Sequence, residues 1–468
     1  MNRVIYFIIT FIFCTFNQSA DAAKNETGFS LPKYEKVVLK NGLTLYLMEQ
    51  HEVPLISVTT AIKAGAVMDG PQLGIAGLTV DALNMGIEDY DKQALEDLFD
   101  FHGARISSSI APDSASLSMS LAAKDLDRLL PIYLEMINAP NFAEKDTNKL
   151  LSLHIQGLDR SLERPNSIVH RYFYRMLFGD HVYGNPTDGN KASVSDIKPK
   201  DLQAFHKAHY QPSNMAISLV GDFNLKKLKK KISKLTKKWP SGNPSIVDIA
   251  PVDYVQTGNR IVLVNKGDAL ETSIRIGGKG ISRSNPDYVE LSVINTILGG
   301  RFTAWLLTAL RTDTGLTYSA SSRFRPLKED GAFFISTFTN TPTTFETLDL
   351  ALSTYQRLLD GEIDQETLTS AQNYVVGLFP PKFEKTSDLS SLLTQMYIYD
   401  FDESYVDDFE KNVKQLTLER ANSLVKKYFP KDDLVIVLIG KGEEIREKAG
   451  AYGKVYELDI KDPIPKKF

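Results

Sequence analysis

The stretch GIAGLTVDALNMG, residues Gly74–Gly86, decides how the rest of this chain is interpreted. Its apolar side chains recur at steps of three, four and three residues, which predicts a short helix that buries one face and ends at Gly86. Gly77 and Asp81 then share a different face of this helix, one turn apart. The apolar positions are Ile75, Leu78, Ala82 and Met85.

The helix lies between KAGAVMDG (63–70), typical of a strand end, and IEDYDKQALEDLFDFHGARIS (87–107). In this setting it resembles the metal helix of the pitrilysin/insulinase family of zinc peptidases, whose motif H-x-x-E-H supplies two ligands and a glutamate base. Gly77, Val80 and Asp81 stand where the motif has His, Glu and His. Glycine has no ligand atom and valine cannot accept a proton. Since catalytic zinc needs three protein ligands and a separate base, we expect no metal in this chain.

The resemblance also implies a third zinc ligand, a glutamate further along the chain. The corresponding window is Gln156–Leu158, in which Gln156 is the closest polar candidate and no carboxylate occurs. A substitute site built from Asp81, His154 and Gln156 is one interpretation, although amide oxygens suit harder metals. The alternative is that His154 simply packs in a helix.

The second half carries INTILGGRFTAWLLTALRTDTGLTYSASSRFRP, residues Ile294–Pro326. This segment resembles the family's glycine loop, helix and R-x6-Y element, with Arg311 and Tyr318 seven residues apart. The resemblance implies that the pair holds the substrate carbonyl and its oxyanion across the cavity, a role that suits a guanidinium and a phenol. Gly299 and Gly300 would be a remnant of the substrate-recognition loop. The alternative is that Arg311 binds helix carbonyls and Tyr318 is an ordinary strand residue.

The two halves of the chain resemble each other. Residues 201–222 and 419–441 both contain a helix, an aromatic residue, a proline, a polar turn and an apolar strand that ends in glycine. Pro212 and Pro430 are 218 residues apart, and Gly221 and Gly440 are 219 apart, which indicates an internal duplication. We therefore predict domains at 23–240 and 260–468, joined by a linker at 241–259 rich in Pro, Gly, Ser and Asn.

The fold class predicted from the alternating blocks of strands and helices is α+β. Each domain is expected to be an antiparallel sheet with helices packed on one face. The family resemblance implies that the two homologous domains curve together as half of a clamshell.

The first 22 residues are predicted to be a cleaved signal peptide, with a basic start at Arg3, an apolar core of 13 residues (4–16) and an Ala-x-Ala site at 20–22. That core is too short for a transmembrane helix, which needs about 20 residues. The single cysteine, Cys14, leaves with it, so the mature chain is expected to be periplasmic and free of thiols and disulfides. The net charge of −4 gives no reason to expect a nucleic-acid partner, and we expect no stable membrane insertion.

Three other features allow both a functional and a structural interpretation. The lysine-rich segment 225–239 could meet anionic lipid, but its apolar stripe favours a surface helix of the domain. His206 and His209 are three residues apart and could contact a metal, but no third ligand is near in sequence, which favours a helix-surface pair. His181, in GDHVYGNP, is expected to order a turn.

The lost metal motif argues against catalysis by this chain, whereas the retained Arg311–Tyr318 pair argues for a part in catalysis. The resemblance includes paired chains such as the mitochondrial processing peptidase, one catalytic and one not. We therefore expect a metal-free subunit that pairs with a homologous zinc-bearing partner and helps it hydrolyse peptides. A purely structural relative and an autonomous zinc peptidase are the alternatives; the empty motif argues against the latter.

Overall fold

The computed structural model describes residues 29–240, 242–244, 248–254, 258–465 and 468, so the predicted signal peptide lies outside the described residues. The first half forms one six-stranded sheet with helices. Its elements are β1 (Glu35–Val38), β2 (Thr44–Glu49), β3 (Leu55–Ile62), α1 (Ile75–Ala82), α2 (Lys92–Phe101), β4 (Arg105–Ile110), β5 (Ala115–Ala122), α3 (Leu126–Asn138), α4 (Glu144–Ser161), α5 (Pro165–Phe178), α6 (Lys191–Asp196), α7 (Pro199–His209), β6 (Met215–Gly221) and α8 (Leu225–Leu235).

The second half repeats this plan after the predicted linker, with a second six-stranded sheet. Its elements are β7 (Arg260–Asn265), β8 (Glu271–Lys279), α9 (Tyr288–Asn295), α10 (Trp305–Leu307), β9 (Ala320–Pro326), β10 (Gly331–Asn340), α11 (Thr344–Leu359), α12 (Gln365–Leu378), α13 (Thr386–Tyr399), α14 (Ser404–Asp407), α15 (Phe409–Gln415), α16 (Leu418–Tyr428), β11 (Val435–Gly440), α17 (Gly442–Ala449) and β12 (Lys454–Asp459). Two π-helical turns, Thr296–Gly300 and Thr308–Asp313, flank α10.

The strand orders are β1-β2-β6-β3-β5-β4 and β12-β7-β11-β8-β10-β9. The α+β class with two equivalent domains is confirmed. The sheets, however, are mixed and not purely antiparallel as expected, because β2 pairs with β6, and β7 with both β11 and β12, in parallel. Local sequence patterns mark the hairpins but do not reveal these pairings, which join strands far apart in the chain.

The two segments that sequence comparison pairs occupy equivalent places in the fold. β6 and β11 are each the third strand of their sheet, and every residue of both strands is buried. Each ends in a glycine that its neighbours require: a Cβ on Gly221 would lie 2.1 Å from the Leu55 carbonyl oxygen, and one on Gly440 would lie 2.6 Å from Thr272 Oγ1. The duplication inferred from these segments is therefore a structural one.

Each half also lends a helix to the other half's sheet. The second-half helix α13 packs on β3 and β6 of the first sheet. Small hydroxyl residues line this contact and allow a close approach: Ser390 Oγ donates to Thr59 Oγ1 at 2.9 Å, and Ser218 Oγ donates to the Ser390 carbonyl at 2.7 Å. We expected helices on one face of each sheet only. The second face of the first sheet is instead covered by a helix of the other domain.

In the reverse direction, α5 of the first half packs on β8 and β11 of the second sheet. This contact is mainly apolar, as in the edge-to-face pair Phe173–Phe334 with ring centroids 6.0 Å apart. His170 also lies on α5, and burial lowers its pKa to about 4; Arg275, Arg171 and Arg325 act in the same direction and Asp188 opposes them. The folded protein therefore keeps this imidazole neutral.

The helical run Tyr288–Asp313 has 26 residues, and its length and mean hydropathy of 1.3 would suffice to cross a membrane. More than half of its most apolar window, 56%, is buried inside the protein. A core helix of a globular domain has the same composition, and this burial accounts for the apolar residues without a bilayer.

Replacing Ser390 by Leu tests the exchanged helix α13. Leucine would overfill the contact with β3 and β6 and remove the serine's hydrogen bonds, so we expect the free energy of unfolding to fall by roughly 2 kcal/mol or more. Urea denaturation followed by circular dichroism measures it. Gln395→Leu, at an exposed position of the same helix, should change stability by no more than about 0.5 kcal/mol. Equal losses in both variants would contradict the proposed packing role.

His170 should make the protein sensitive to acid. Because its pKa is about 4 in the folded state and 6.5 in the reference state, the unfolded chain binds the proton first and the free energy of unfolding falls as the pH drops from about 6.5 to 4. His170→Gln should flatten this part of the stability profile. Gln395→Leu, at an exposed position without a titratable group, should leave its shape unchanged. Denaturation curves at several pH values measure both. An unaltered profile in His170→Gln would rule the effect out.

Candidate functional site

Helix α1 forms as its sequence predicts. Its apolar side chains are buried in the core of the first domain, and the chain leaves it through a 3-10 turn that ends at Gly86, with φ of 136°. Asp69 fixes its start, because its carboxylate accepts hydrogen bonds from the backbone N–H groups of Gly74 at 2.7 Å and Ala76 at 2.9 Å. Burial raises the pKa of Asp69 to about 7, while these two hydrogen bonds act in the opposite direction.

The residues at the three motif positions are used for packing and not for binding a metal. A Cβ on Gly77 would lie 3.4 Å from Ile110 Cγ2 of β4 and 3.5 Å from the Thr187 carbonyl oxygen, so helix α1 is in contact with both. Val80 is fully buried in the core. Asp81 accepts a hydrogen bond from Ser108 Oγ of β4 at 2.5 Å.

The carboxyl group of Asp81 is half-buried. Burial raises its pKa above the usual range, and the hydrogen bond from Ser108 and the nearby imidazole of His154 act against this rise. His154 thus lies on the side of α4 that faces α1. Its own Nε2 contacts the Asp188 carbonyl oxygen at 2.8 Å. The structure therefore places His154 near Asp81, so that two of the three residues of the substitute site are neighbours.

Gln156 does not join them. It is exposed, and its Nε2 donates to Ser152 Oγ on the same helix at 3.4 Å. Residues 154 and 156 point to different sides of a helix, because successive residues are about 100° apart. The choice of Gln156 as the closest counterpart of a third ligand is therefore not supported by its position.

The segment 185–190 closes the space over the start of α1. A Cβ on Gly74 would lie 3.0 Å from the Asp188 carbonyl oxygen, and one on Gly189 would lie 2.3 Å from the Leu73 carbonyl oxygen. Asp188 also forms an ion pair with Arg171 of α5. Within the described residues, no group of three or more His, Cys, Asp or Glu side chains could hold a metal ion. The residues present do not fit a zinc ion.

The remaining histidines have structural contacts. His206 Nε2 contacts the Ile137 carbonyl oxygen at 2.8 Å, and burial lowers the pKa of this imidazole. His209 is buried against Phe205, with ring centroids 4.4 Å apart. His181 Nδ1 accepts a hydrogen bond from the Tyr183 N–H at 3.2 Å, so it orders the turn as expected. The lysine-rich helix α8 buries Leu228 and Ile232 and leaves most of its lysines outside.

Arg311 and Tyr318 lie side by side. The Arg311 guanidinium carbon is 4.3 Å from the centre of the Tyr318 ring and 5.3 Å from that of Phe302. Tyr318 is 73% exposed. Gly315, with φ of 67°, follows the π-helical turn that holds Arg311, and β9 begins only at Ala320, so Tyr318 is not a strand residue. The pair therefore presents a cation from the π-helical turn and a phenol from the loop that precedes β9.

Gly299 and Gly300 are not in a loop. They form the last residues of the π-helical turn Thr296–Gly300. A Cβ on Gly299 would lie 2.3 Å from the Ser322 nitrogen, so this glycine lets the helix end touch β9 directly. The expected remnant of a recognition loop is a packing contact in this chain.

Two features of the site escaped sequence reasoning. Ser108, which binds Asp81, and Ser322, which binds Asn295 at 2.7 Å, occupy equivalent places in the two halves. Both members of the second pair lie 214 residues after those of the first, since 295 − 81 and 322 − 108 are equal. The repeat was visible in the sequence, but nothing there marked these polar residues as partners.

Known proteins resemble both halves of the chain. Residues 46–190 match the family model described as Insulinase (Peptidase family M16), and residues 196–375 match the one described as Peptidase M16 inactive domain. The chain is 23% identical to the zinc protease PqqE of Helicobacter pylori over 412 residues, which is 85% of this chain and 91% of that protein. It is 21% identical to the non-peptidase homolog YmxG of the same organism, over 84% of this chain and 90% of that protein.

Two solved structures of related proteins have the same fold as this chain. A peptidase M16 inactive domain from Pseudomonas fluorescens superposes with a TM-score of 0.82 at 26% identity, covering 87% of this chain and 98% of that chain. A protease from Helicobacter pylori superposes with a TM-score of 0.77 at 21% identity, covering 88% and 100%, respectively. At this lower identity the second likeness concerns the fold.

Restoring the motif tests the loss of the metal site. We expect Gly77→His combined with Asp81→His to bind no stoichiometric zinc, because no third ligand is in place and the surrounding residues do not orient two new imidazoles. Metal analysis by mass spectrometry after dialysis measures this, with circular dichroism to verify folding. Adding Val80→Glu completes the motif but buries a carboxylate. Tight stoichiometric zinc in either folded variant would contradict the prediction.

Proposed function

Because the chain belongs to the M16 family of insulinase-like peptidases, we propose that it is the metal-free subunit of a periplasmic heterodimeric zinc peptidase. In this proposal a homologous partner carries the intact zinc motif, and this chain lends Arg311 and Tyr318 to it. The partner's zinc would supply the activated water. The substrates are peptides or unfolded protein segments enclosed between the two chains.

The observation that carries the proposal is the contrast between the two halves. In the first half the motif positions are committed to packing, with Gly77 against β4 and Asp81 bonded to Ser108. In the second half Arg311 and Tyr318 remain in contact, and the Tyr318 ring is exposed. A chain that served only as a scaffold would have no need of this exposed pair.

The chemistry of the pair fits a role in trans. Peptide hydrolysis develops negative charge on the carbonyl oxygen, and hydrogen-bond donors held in place stabilise that charge. The guanidinium of Arg311 is permanently charged and presents several N–H groups, and the Tyr318 hydroxyl adds a donor. Stacking of the guanidinium on the ring restricts both side chains before substrate arrives, which lowers the cost of ordering them.

The relatives support a division of labour. One organism, Helicobacter pylori, encodes both a zinc protease and a non-peptidase homolog that resemble this chain over most of its length. The predicted signal peptide supports export, and the absence of cysteine from residues 23–468 suits an oxidising compartment. A neighbouring gene for a similar chain with intact H-x-x-E-H would favour the pair over a structural relative.

The first test is cleavage of a quenched peptide by this chain alone, by its zinc-bearing neighbour alone and by the mixture, with the metal content of each chain measured. We expect cleavage, and zinc, to depend on the partner, and this chain to raise the partner's turnover. Periplasmic fractionation of the host locates both chains. Cleavage with bound zinc in this chain alone would overturn the proposal, and no effect of the chain on its partner would favour a scaffold.

Substituting the pair tests its role. Arg311→Ala and Tyr318→Phe should each lower kcat of the complex by about 10²–10³, the usual effect of losing one oxyanion donor. The complex should keep its mass in analytical ultracentrifugation. Arg446→Ala, at a surface ion pair with Glu457, serves as the control and should leave kcat unchanged. Unchanged turnover in both Arg311→Ala and Tyr318→Phe would exclude a substrate-stabilising role.

A further inference from the structure

A cavity of about 630 Å³ opens beside strand β9 in the second domain. The π-helical turn Thr296–Gly300 forms one wall and residues 321–324 of β9 form the other. β9 is the edge strand of its sheet, as β4 is in the first domain. The cavity therefore occupies the place that the degenerate metal position has in the first half.

Where the cavity meets β9 and the end of α9, Ser322 and Asn295 are polar, uncharged and hydrogen-bonded to each other. Ser322 Oγ donates to Asn295 Oδ1 at 2.7 Å, and Asn295 Nδ2 donates to the Ser322 carbonyl at 3.0 Å. In the first half the equivalent pair contains the carboxylate of Asp81. Because Asn295 already occupies the Ser322 carbonyl and Gly299 lies against the Ser322 nitrogen, a ligand cannot add to β9 as a strand at this residue.

The charged residues that line the cavity are all basic. They are Arg301 and Arg323, and no Asp or Glu side chain lines it. Neither arginine forms an ion pair with any residue in the described part of the chain. Arg301 donates one hydrogen bond, to Ser370 Oγ at 3.0 Å, while its Nε is buried without a hydrogen-bond partner among the described residues. The Arg301 Nη2 therefore retains donors for an anionic ligand. Arg323 lines the cavity only from the strand edge, because it lies directly opposite Phe334 in the β9–β10 register and its side chain shares the sheet face of Phe334, not that of Ser322.

The cavity adjoins the Arg311–Tyr318 pair. Phe302 lines the cavity and is 70% exposed, and the Arg311 guanidinium carbon lies 5.3 Å from the centre of its ring. Tyr374 forms another aromatic side of the cavity, 5.9 Å from the Arg301 guanidinium carbon. An extended peptide bound at Arg311 and Tyr318 can therefore place a neighbouring side chain in a space walled by aromatic rings, with Arg301 at its border.

We propose that this cavity binds the carboxylate of an Asp or Glu side chain in an extended peptide. Guanidinium groups bind carboxylates with paired, charge-assisted hydrogen bonds, and the aromatic walls accommodate the aliphatic part of the side chain. The cavity thereby selects acidic peptides. This selection is a local effect of the cavity, since the protein as a whole has a net charge of −4. That these peptides are substrates rests on the proposed function, whereas their binding to the cavity does not.

The test measures binding to the purified chain without any partner, by fluorescence anisotropy. Two labelled peptides of equal length are compared, one with a central Glu and one with Gln in its place. We expect the Glu peptide to bind about tenfold tighter, since charge-assisted hydrogen bonds are stronger than neutral ones, and the difference to shrink as salt is raised. Equal affinities at low salt would overturn the inference.

Variants assign the effect to the cavity. Arg301→Gln should remove most of the preference for Glu, and Arg301→Lys should keep most of it because the charge remains. Arg323→Gln, whose side chain lies on the opposite face of β9, should keep the full preference. Arg446→Gln, which lies by β12 at the opposite edge of the same sheet, is the matched control and should keep the full preference. A preference unchanged in Arg301→Gln would place the selectivity elsewhere and refute the assignment.

The outcomes separate this inference from the proposed function. A chain that raises its partner's turnover but binds both peptides equally refutes the acidic subsite alone. A chain that prefers the Glu peptide but leaves its partner's turnover unchanged refutes the role in catalysis and supports the cavity as a binding site.

Discussion

The burial of one helix from each half against the sheet of the other half is the constraint on which the structure depends. A six-stranded sheet has two faces, and the helices of its own domain do not cover both. Helix α13 closes the second face of the first sheet through Thr59, Ser218 and Ser390, and α5 closes the second sheet through apolar and aromatic side chains. Neither domain can therefore bury its sheet alone, so the two domains depend on each other for their cores.

The packing around α1 explains how this chain can lack the metal ligands and still keep the fold. Two motif positions contact neighbouring elements instead: Gly77 lies against β4 and Asp81 binds Ser108, while the nearby His154 binds the backbone at Asp188. A half-buried carboxylate without a metal is stabilised by hydrogen-bond donors, and Ser108 provides one. The helix keeps its apolar face, its capping aspartate and its terminal glycine, because the core of the domain requires these whatever the chemistry.

The duplicated halves have diverged in opposite directions at equivalent places. In the first, the Asp81–Ser108 pair is enclosed by α4 and the segment 185–190. In the second, Asn295 and Ser322 are neutral, and the space before them stays open, with Arg301 and Arg323 at its border. The proposed recognition surface thus lies in the second half, next to the stacked Arg311 and Tyr318. Binding and catalysis can be divided between two chains when each keeps one half of the required chemistry.

The sequence by itself determined the α+β class, the duplication, the short helix Gly74–Gly86 and the loss of the metal ligands, since these follow from residue identity and spacing within short segments. The tertiary structure alone decided the parallel pairings, the exchange of α5 and α13, the choice of His154 over Gln156 as the neighbour of Asp81, and the role of Gly299 as a packing contact. These depend on residues far apart in the chain, as in the hydrogen bond between Ser390 and Thr59, 331 positions apart. Local periodicity carries no information about which distant backbone a side chain will meet, and that meeting is fixed only when both sheets bury their faces together.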